Sequence, residues 1–106
     1  LMYEKFDEEF AYKLMELFGL NKKAKIKNLS KGQETIFNFC CGMATRADIT
    51  ILDEPVSGVD AISRNKIYEI ILRDYIEHPR TILISSHILS EISQIADKIG
   101  IIKNVR

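Results

Sequence analysis

The chain has 106 residues, 15 basic and 15 acidic, giving a formal net charge of zero. Apolar residues make up 46% and charged residues 28%, with two prolines and five glycines, so disordered, collagenous and low-complexity classes are excluded and the length allows one small domain. The neutral balance supplies no general pull toward nucleic acid, and no apolar run approaches the roughly 18 residues of a membrane span. No basic start followed by an apolar stretch and a small-residue cleavage site is seen, so no signal peptide is expected. The two cysteines, Cys40 and Cys41, are adjacent, which strains a disulfide, and no CxxC pairing exists for a metal. Both are expected to be buried thiols in a reducing compartment.

Residues 6–19 read as a helix capped by Asp7 and closed by Gly19, with Glu8 and Glu9 at its positive end. Its expected apolar face is Phe10, Leu14, Leu17 and Phe18. A basic stretch with four lysines follows from Asn21 to Asn28, of the kind that serves as a solvated connector. A second helix is expected from about Ser30 to Arg46, with Ile36, Phe37, Cys40, Met43, Ala44 and Ala47 as its stripe. Ile49 to Leu52 read as a strand; its apolar content without alternation predicts cover on both faces, as in a parallel sheet. A third helix over 61–77 turns Ile67, Ile70, Ile71 and Tyr75 inward and stops at His78-Pro79. Thr81 to Ser85 form the next strand, Ser90 to Lys98 a fourth helix, and Ile99 to Lys103 a last strand. This alternation after a helical start predicts an α/β fold with a parallel sheet.

Four short segments carry candidate chemistry. ITILDE, Ile49 to Glu54, brings two carboxylates to the carboxyl end of a strand, where open α/β sheets bind ligands. In a nucleotide-hydrolysing site Asp53 would help hold magnesium and Glu54 would orient or activate water. Taken alone, D-E-P is also ordinary turn chemistry. LSKGQ, Leu29 to Gln33, has the S-x-x-Q spacing of a capping box, and Gly32 permits close approach to the backbone. With Lys31 and the Ser30 hydroxyl it makes a phosphate site or a plain helix cap. Ser57-Gly58-Val59-Asp60 leads into the third helix, with Asp60 as its N-cap. Ser85-Ser86-His87 follows an apolar strand and sets a histidine at the same crevice as Asp53 and Glu54. His78 carries only the default reading of a surface histidine.

In order and spacing these segments resemble the nucleotide-binding domain of the ATP-binding cassette (ABC) family. LSKGQ is similar to that family's signature motif, ITILDE to its Walker B strand, PVSGVD to its D-loop, and the His87 segment to its switch-histidine loop. The likeness covers residues 29–103; residues 1–28 resemble only loosely the helical subdomain before the signature. It implies residues 1–47 as part of the helical subdomain and 48–106 as the later half of a P-loop NTPase, RecA-like core. It implies Glu54 as the catalytic carboxylate, Asp53 on the magnesium side, and His87 at the terminal phosphate. Ser30, Lys31, Gly32 and Gln33 would meet ATP held by a partner cassette in a head-to-tail pair, with Ser57 and Asp60 relaying across it. ATP and Mg2+ are the implied cofactors, and a second cassette and a transmembrane permease the implied partners, with no direct nucleic acid. The implied activity is ATP hydrolysis coupled to transport, at the cytoplasmic face of the membrane. The wording DEPVSGVD resembles bacterial drug or peptide-antibiotic exporters most. The alternatives are a non-transport ABC ATPase and a non-catalytic half-cassette that supplies only the signature side.

Two departures from the family pattern bear on the site. Lys31 replaces a usual glycine, and Glu34-Thr35 stand where many members carry glutamine and arginine, which removes positive charge near the trans phosphate. No glycine of the chain is followed by lysine, so the G-x-x-x-x-G-K-[ST] loop is lacking, and the first 28 residues contain no glutamine for a Q-loop. Leu1 as first residue fits a piece of a longer protein. Alone, the piece is expected to hydrolyse little or no ATP and to be self-associating or marginally stable, since a sheet edge and apolar surface lose their partners.

Overall fold

The computed structural model describes residues 6–20 and 28–85. Its elements are α1 (Glu8–Leu17), α2 (Lys31–Ala44), β1 (Ile49–Asp53), α3 (Ala61–Glu77) and β2 (Thr81–Ser85). The strands β1 and β2 pair in parallel, with α3 as the crossover between them, which makes the unit α/β. The basic stretch over 21–27, His87, and the helix and strand expected after it lie outside the described residues.

Local chemistry sets the helix limits. Asp7 caps α1 through the Phe10 amide, 2.9 Å from Oδ1, and Gly19 leaves the helix at φ 73°. Ser30 and Gln33 form the complete capping box at the start of α2. Asp60 caps α3 by accepting from the Ser63 amide at 3.0 Å. At the other end of α2 the chain turns through Arg46 at φ 46°, a left-handed conformation usually left to glycine or asparagine. The Arg46 amide closes back on the Met43 carbonyl at 3.2 Å. The second helix therefore ends at Ala44, and Ala47 lies beyond it rather than on its stripe.

One hydrophobic cluster runs through all five elements, with Met43, Ile67, Ile71 and Cys40 as its most buried large side chains. On α1 the inward residues are Ala11, Leu14 and Met15; Leu17 is 60% exposed, contrary to the expected face. On α2 Phe39 is buried while Phe37 is only half-buried. Cys41 is likewise half-buried, so only Cys40 is a fully buried thiol. Burial pushes the Cys40 thiol up to about 12, which makes it unreactive. On α3 Ile67 and Ile71 point inward as expected, Ile70 and Tyr75 are half-buried, and Tyr68 and Asp74 are buried as well.

The register sets the two faces of the sheet. Thr50 and Leu52 of β1 lie beside Ile82 and Ile84 of β2 on the buried face. Ile49 and Ile51, on the opposite face, are 60% and 68% exposed. Cover on both faces of β1 is therefore not found among the described residues. The alternation of burial belongs to a strand packed on one side.

Candidate functional site

The carboxyl ends of β1 and β2 gather the polar groups. Asp53 and Ser85 are register partners on the open face of the sheet, and the Ser85 hydroxyl donates to Asp53 Oδ1. The next residue, Glu54, sits at φ 47°, a conformation that costs a non-glycine residue roughly 1–2 kcal/mol. Its amide is held by the Ser85 carbonyl at 2.9 Å and faces the Ser85 hydroxyl at 3.3 Å. The strand thus ends in an abrupt bend that turns Glu54 out of the ladder. Such strain is retained where surrounding bonds enforce it, and it clusters at functional sites. The bend continues as Ser57 donates its amide to the Glu54 carbonyl at 3.1 Å, and Gly58 follows at φ 73°.

Beside this bend stands the start of α2. In the capping box the Ser30 hydroxyl oxygen accepts from the Gln33 amide at 3.1 Å, and Gln33 Oε1 accepts from the Ser30 amide at 2.9 Å. In these bonds both side chains act as acceptors, so neither the Ser30 O–H nor the Gln33 amide NH2 is spent on the capping box. The first-turn amides of Lys31 and Gly32 have no acceptor within the helix, and Lys31 adds a cation. A set made of donors and one positive charge suits an anion, phosphate above all. The oxygen pair of Asp53 and Ser85 suits a hard cation such as magnesium. Both ligand types expected from the sequence thus fit the residues at this end of the sheet.

A cleft of about 490 Å3 runs between α2 and β1, with Lys31, Glu34 and Asn38 on one wall and Ile51, Asp53 and Glu54 on the other. Its floor includes the Thr35 side chain. Asp60 is fully exposed at the far side of the turn, and its bonds from Ser63, the backbone amide first, hold its carboxyl below the usual carboxylate range. Of the residues singled out in the sequence, Ser30, Lys31, Gly32, Gln33, Asp53, Glu54, Ser57 and Asp60 all lie on this end of the unit. His87 lies outside the described residues.

The sequence reading missed Ser85 as the partner of Asp53 and Thr35 as a link from α2 to the turn. It also missed the opposite end of the sheet. There Asp74, 3% exposed, meets Arg46 at 3.1 Å and Arg80 at 2.9 Å, and His78 stands at 3.4 Å. Asp74, Glu77 and His78 are close enough for a metal, but the two arginines already neutralise the Asp74 carboxylate. The exposed Glu77 and His78 alone make no metal site.

A parallel β-α-β unit whose strand ends carry an acidic pair, faced by a donor-rich helix start, places the chain in the α/β class, and its fold is that of a P-loop NTPase. A solved structure described as a cobalt transport ATP-binding protein (cbiO-2) superposes with TM-score 0.69 at 22% identity, over 91% of this chain and 36% of that one. No family model matches the chain. The ABC transporter ATP-binding protein YtrB of Bacillus subtilis is 30% identical over 103 residues, 97% of this chain and 35% of the relative. The bacitracin transport ATP-binding protein BcrA of Enterococcus faecalis is 36% identical over 91 residues, 84% of this chain and 30% of the relative. Over most of its length the chain is similar to ATP-binding proteins of the ABC transporter family, and it spans about a third of the length of the curated relatives it matches.

Proposed function

We propose that this chain is part of an ATPase whose binding and hydrolysis of ATP drive transport across a membrane, of the type that exports drugs or peptide antibiotics. The observation that carries this reading is the meeting of the Asp53–Ser85 pair and the bent Glu54 with the donor-rich start of α2 at one end of the sheet. The likeness to BcrA, named for bacitracin transport, supports the exporter side of the reading.

When bound, magnesium offsets the phosphate charge that accumulates in phosphoryl transfer. Asp53 would hold it, with Ser85 fixing the carboxylate by its hydrogen bond. Glu54, at the left-handed bend just past the end of β1, orients the attacking water and takes its proton. His87 contacts the terminal phosphate. Ser30, Lys31, Gly32 and Gln33, at the start of α2, grip the nucleotide of a second cassette, which makes the working unit a head-to-tail pair. Ser57 and Asp60 lie on the turn after β1 and relay between the two. Among the described residues no helix is long and apolar enough to cross a membrane. Membrane passage in this reading belongs to a separate permease, with the cassette at its cytoplasmic face.

The test is ATP turnover by the full-length protein that carries this segment, before and after Glu54→Gln. The substitution removes the proton acceptor and leaves the fold, so turnover should fall at least ~100-fold with ATP binding retained. Unchanged turnover would remove Glu54 from the chemistry and the reading with it.

A further inference from the structure

The start of α2 and the bend after β1 do not merely lie near one another. Thr35, only 9% exposed, places its hydroxyl 2.7 Å from the Ser57 carbonyl, 22 positions away in the chain. The same hydroxyl lies 3.1 Å from the Lys31 carbonyl of its own helix. A hydroxyl has one proton, and the shorter distance assigns it mainly to Ser57. One turn earlier, Gly32 sits under Gly58: a Cβ at position 32 would stand 2.7 Å from the Gly58 carbonyl oxygen. A Cβ at Gly58 would in turn meet Lys31 Cγ at 3.1 Å. The backbone of the turn is therefore seated on the first two turns of α2, with one part-buried hydrogen bond as its pin.

From that pin a short path leads to the chemistry. Ser57 donates its amide to the Glu54 carbonyl at 3.1 Å, and Glu54 holds its strained conformation only while its neighbours enforce it. We infer that Thr35 is a positioning residue, which locks the phosphate-gripping start of α2 to the Ser57–Glu54 turn so that both reach the reactive geometry together. The inference rests on the function proposed above and gives Thr35 a part in it through the Ser57–Glu54 turn. Displacing the turn by a fraction of an ångström leaves the anion donors of α2 intact but moves Glu54 relative to the water it activates. Loss of the pin therefore acts on turnover and spares nucleotide affinity.

The test compares Thr35→Val, which keeps the shape and removes the hydroxyl, with Thr35→Ser, which keeps the hydroxyl, in the full-length protein. Thr35→Ala removes the hydroxyl with a smaller side chain and guards against a packing failure of the valine. Both hydroxyl-free variants should lose about tenfold in kcat, with KM for ATP within about twofold, and Thr35→Ser should restore kcat. Kcat within twofold of wild type in Thr35→Ala, or no recovery in Thr35→Ser, overturns the inference. Glu54→Gln is run alongside. If it leaves turnover unchanged, the proposed function fails and the role of Thr35 falls with it. If it abolishes turnover while Thr35→Ala does not, the Thr35 inference alone is lost.

Discussion

The two ends of the parallel pair handle charge in opposite ways. At the amino ends, Asp74 is buried and its carboxylate is engaged by Arg46 and Arg80. Arg46 reaches on to Asp7 at 3.0 Å and lies 4.3 Å above the Phe10 ring, while Arg80 donates to Thr50 Oγ1 at 2.9 Å. This network ties Asp7 at the start of α1, Arg46 just past the end of α2 and Thr50 of β1 to Asp74 of α3, which stands at its centre. At the carboxyl ends, Asp53 is exposed, Glu54 half-buried and Lys31 exposed, and the cleft between them lies open. Charge that is enclosed and neutralised locks the fold. Charge that is left accessible beside a strained bend is available to a ligand. The comparison also explains why Arg46 tolerates a left-handed conformation: its ion pairs offset the roughly 1–2 kcal/mol that the backbone costs.

The largest effect should therefore come from the enclosed end. Asp74→Ala strips the buried Arg80 guanidinium of its carboxylate partner and leaves Arg46 paired with Asp7 alone, and breaking such a buried network costs about 3–5 kcal/mol. A unit of this size has little more than that to lose. Denaturant unfolding should show Asp74→Ala without a cooperative transition, while Asp53→Ala, at the open end, stays within about 0.5 kcal/mol of wild type. Equal losses at the two positions would break the distinction between a locking end and a working end.

The open face of the sheet gives the next effect. Ile49 and Ile51 present bare apolar surface beside the cleft, on the same face as Asp53. Exposed apolar strands promote association. The 106-residue chain by itself should elute from a sizing column at a position that depends on its concentration. Ile49→Lys with Ile51→Lys should move it toward the monomer position without lowering its unfolding midpoint. A wild-type chain that runs as a monomer at every concentration would show that this face needs no partner.

The sequence disclosed those parts of the molecule whose causes are local. The limits of α3 follow from Asp60 at one end and His78-Pro79 at the other, and the start of α2 from the Ser30–Gln33 box. The carboxylates at the end of β1 were legible because an apolar run that stops at Asp53 leaves little choice about where they stand. Leu17 was misplaced because Ala11 and Met15 compete for the same helical face, and periodicity alone does not choose between two overlapping stripes. Cover on both faces of β1 was inferred from an unbroken apolar run, yet such a run does not say which neighbours are present. The ties that depend on register or on docking between distant segments were not legible at all. Ser85 meets Asp53 only because the strands align as they do, Thr35 meets Ser57 only once α2 lies on the turn, and Asp74 meets Arg46 and Arg80 only once α3 has packed beside the ends of α2 and β2.

Asp60 gives the smallest effect and the sharpest check that the carboxyl end stays in solvent. Its carboxylate accepts from the Ser63 amide at the start of α3, and its carboxyl is thereby held below the usual carboxylate range. The folded state binds this proton less readily than the unfolded chain does. The stabilisation from this group is then fully present above the ordinary carboxylate value near 4 and is lost as pH falls through the lowered folded value. Asn at the same place still caps the helix but does not titrate. Thermal unfolding of wild type and Asp60→Asn should differ little at pH 7, and what advantage Asp60 has should shrink steadily as pH falls below 4. Taking the difference cancels whatever acid response the two chains share. A difference that stays constant down to pH 3 would mean that the Asp60 carboxylate does not hold α3 through its charge.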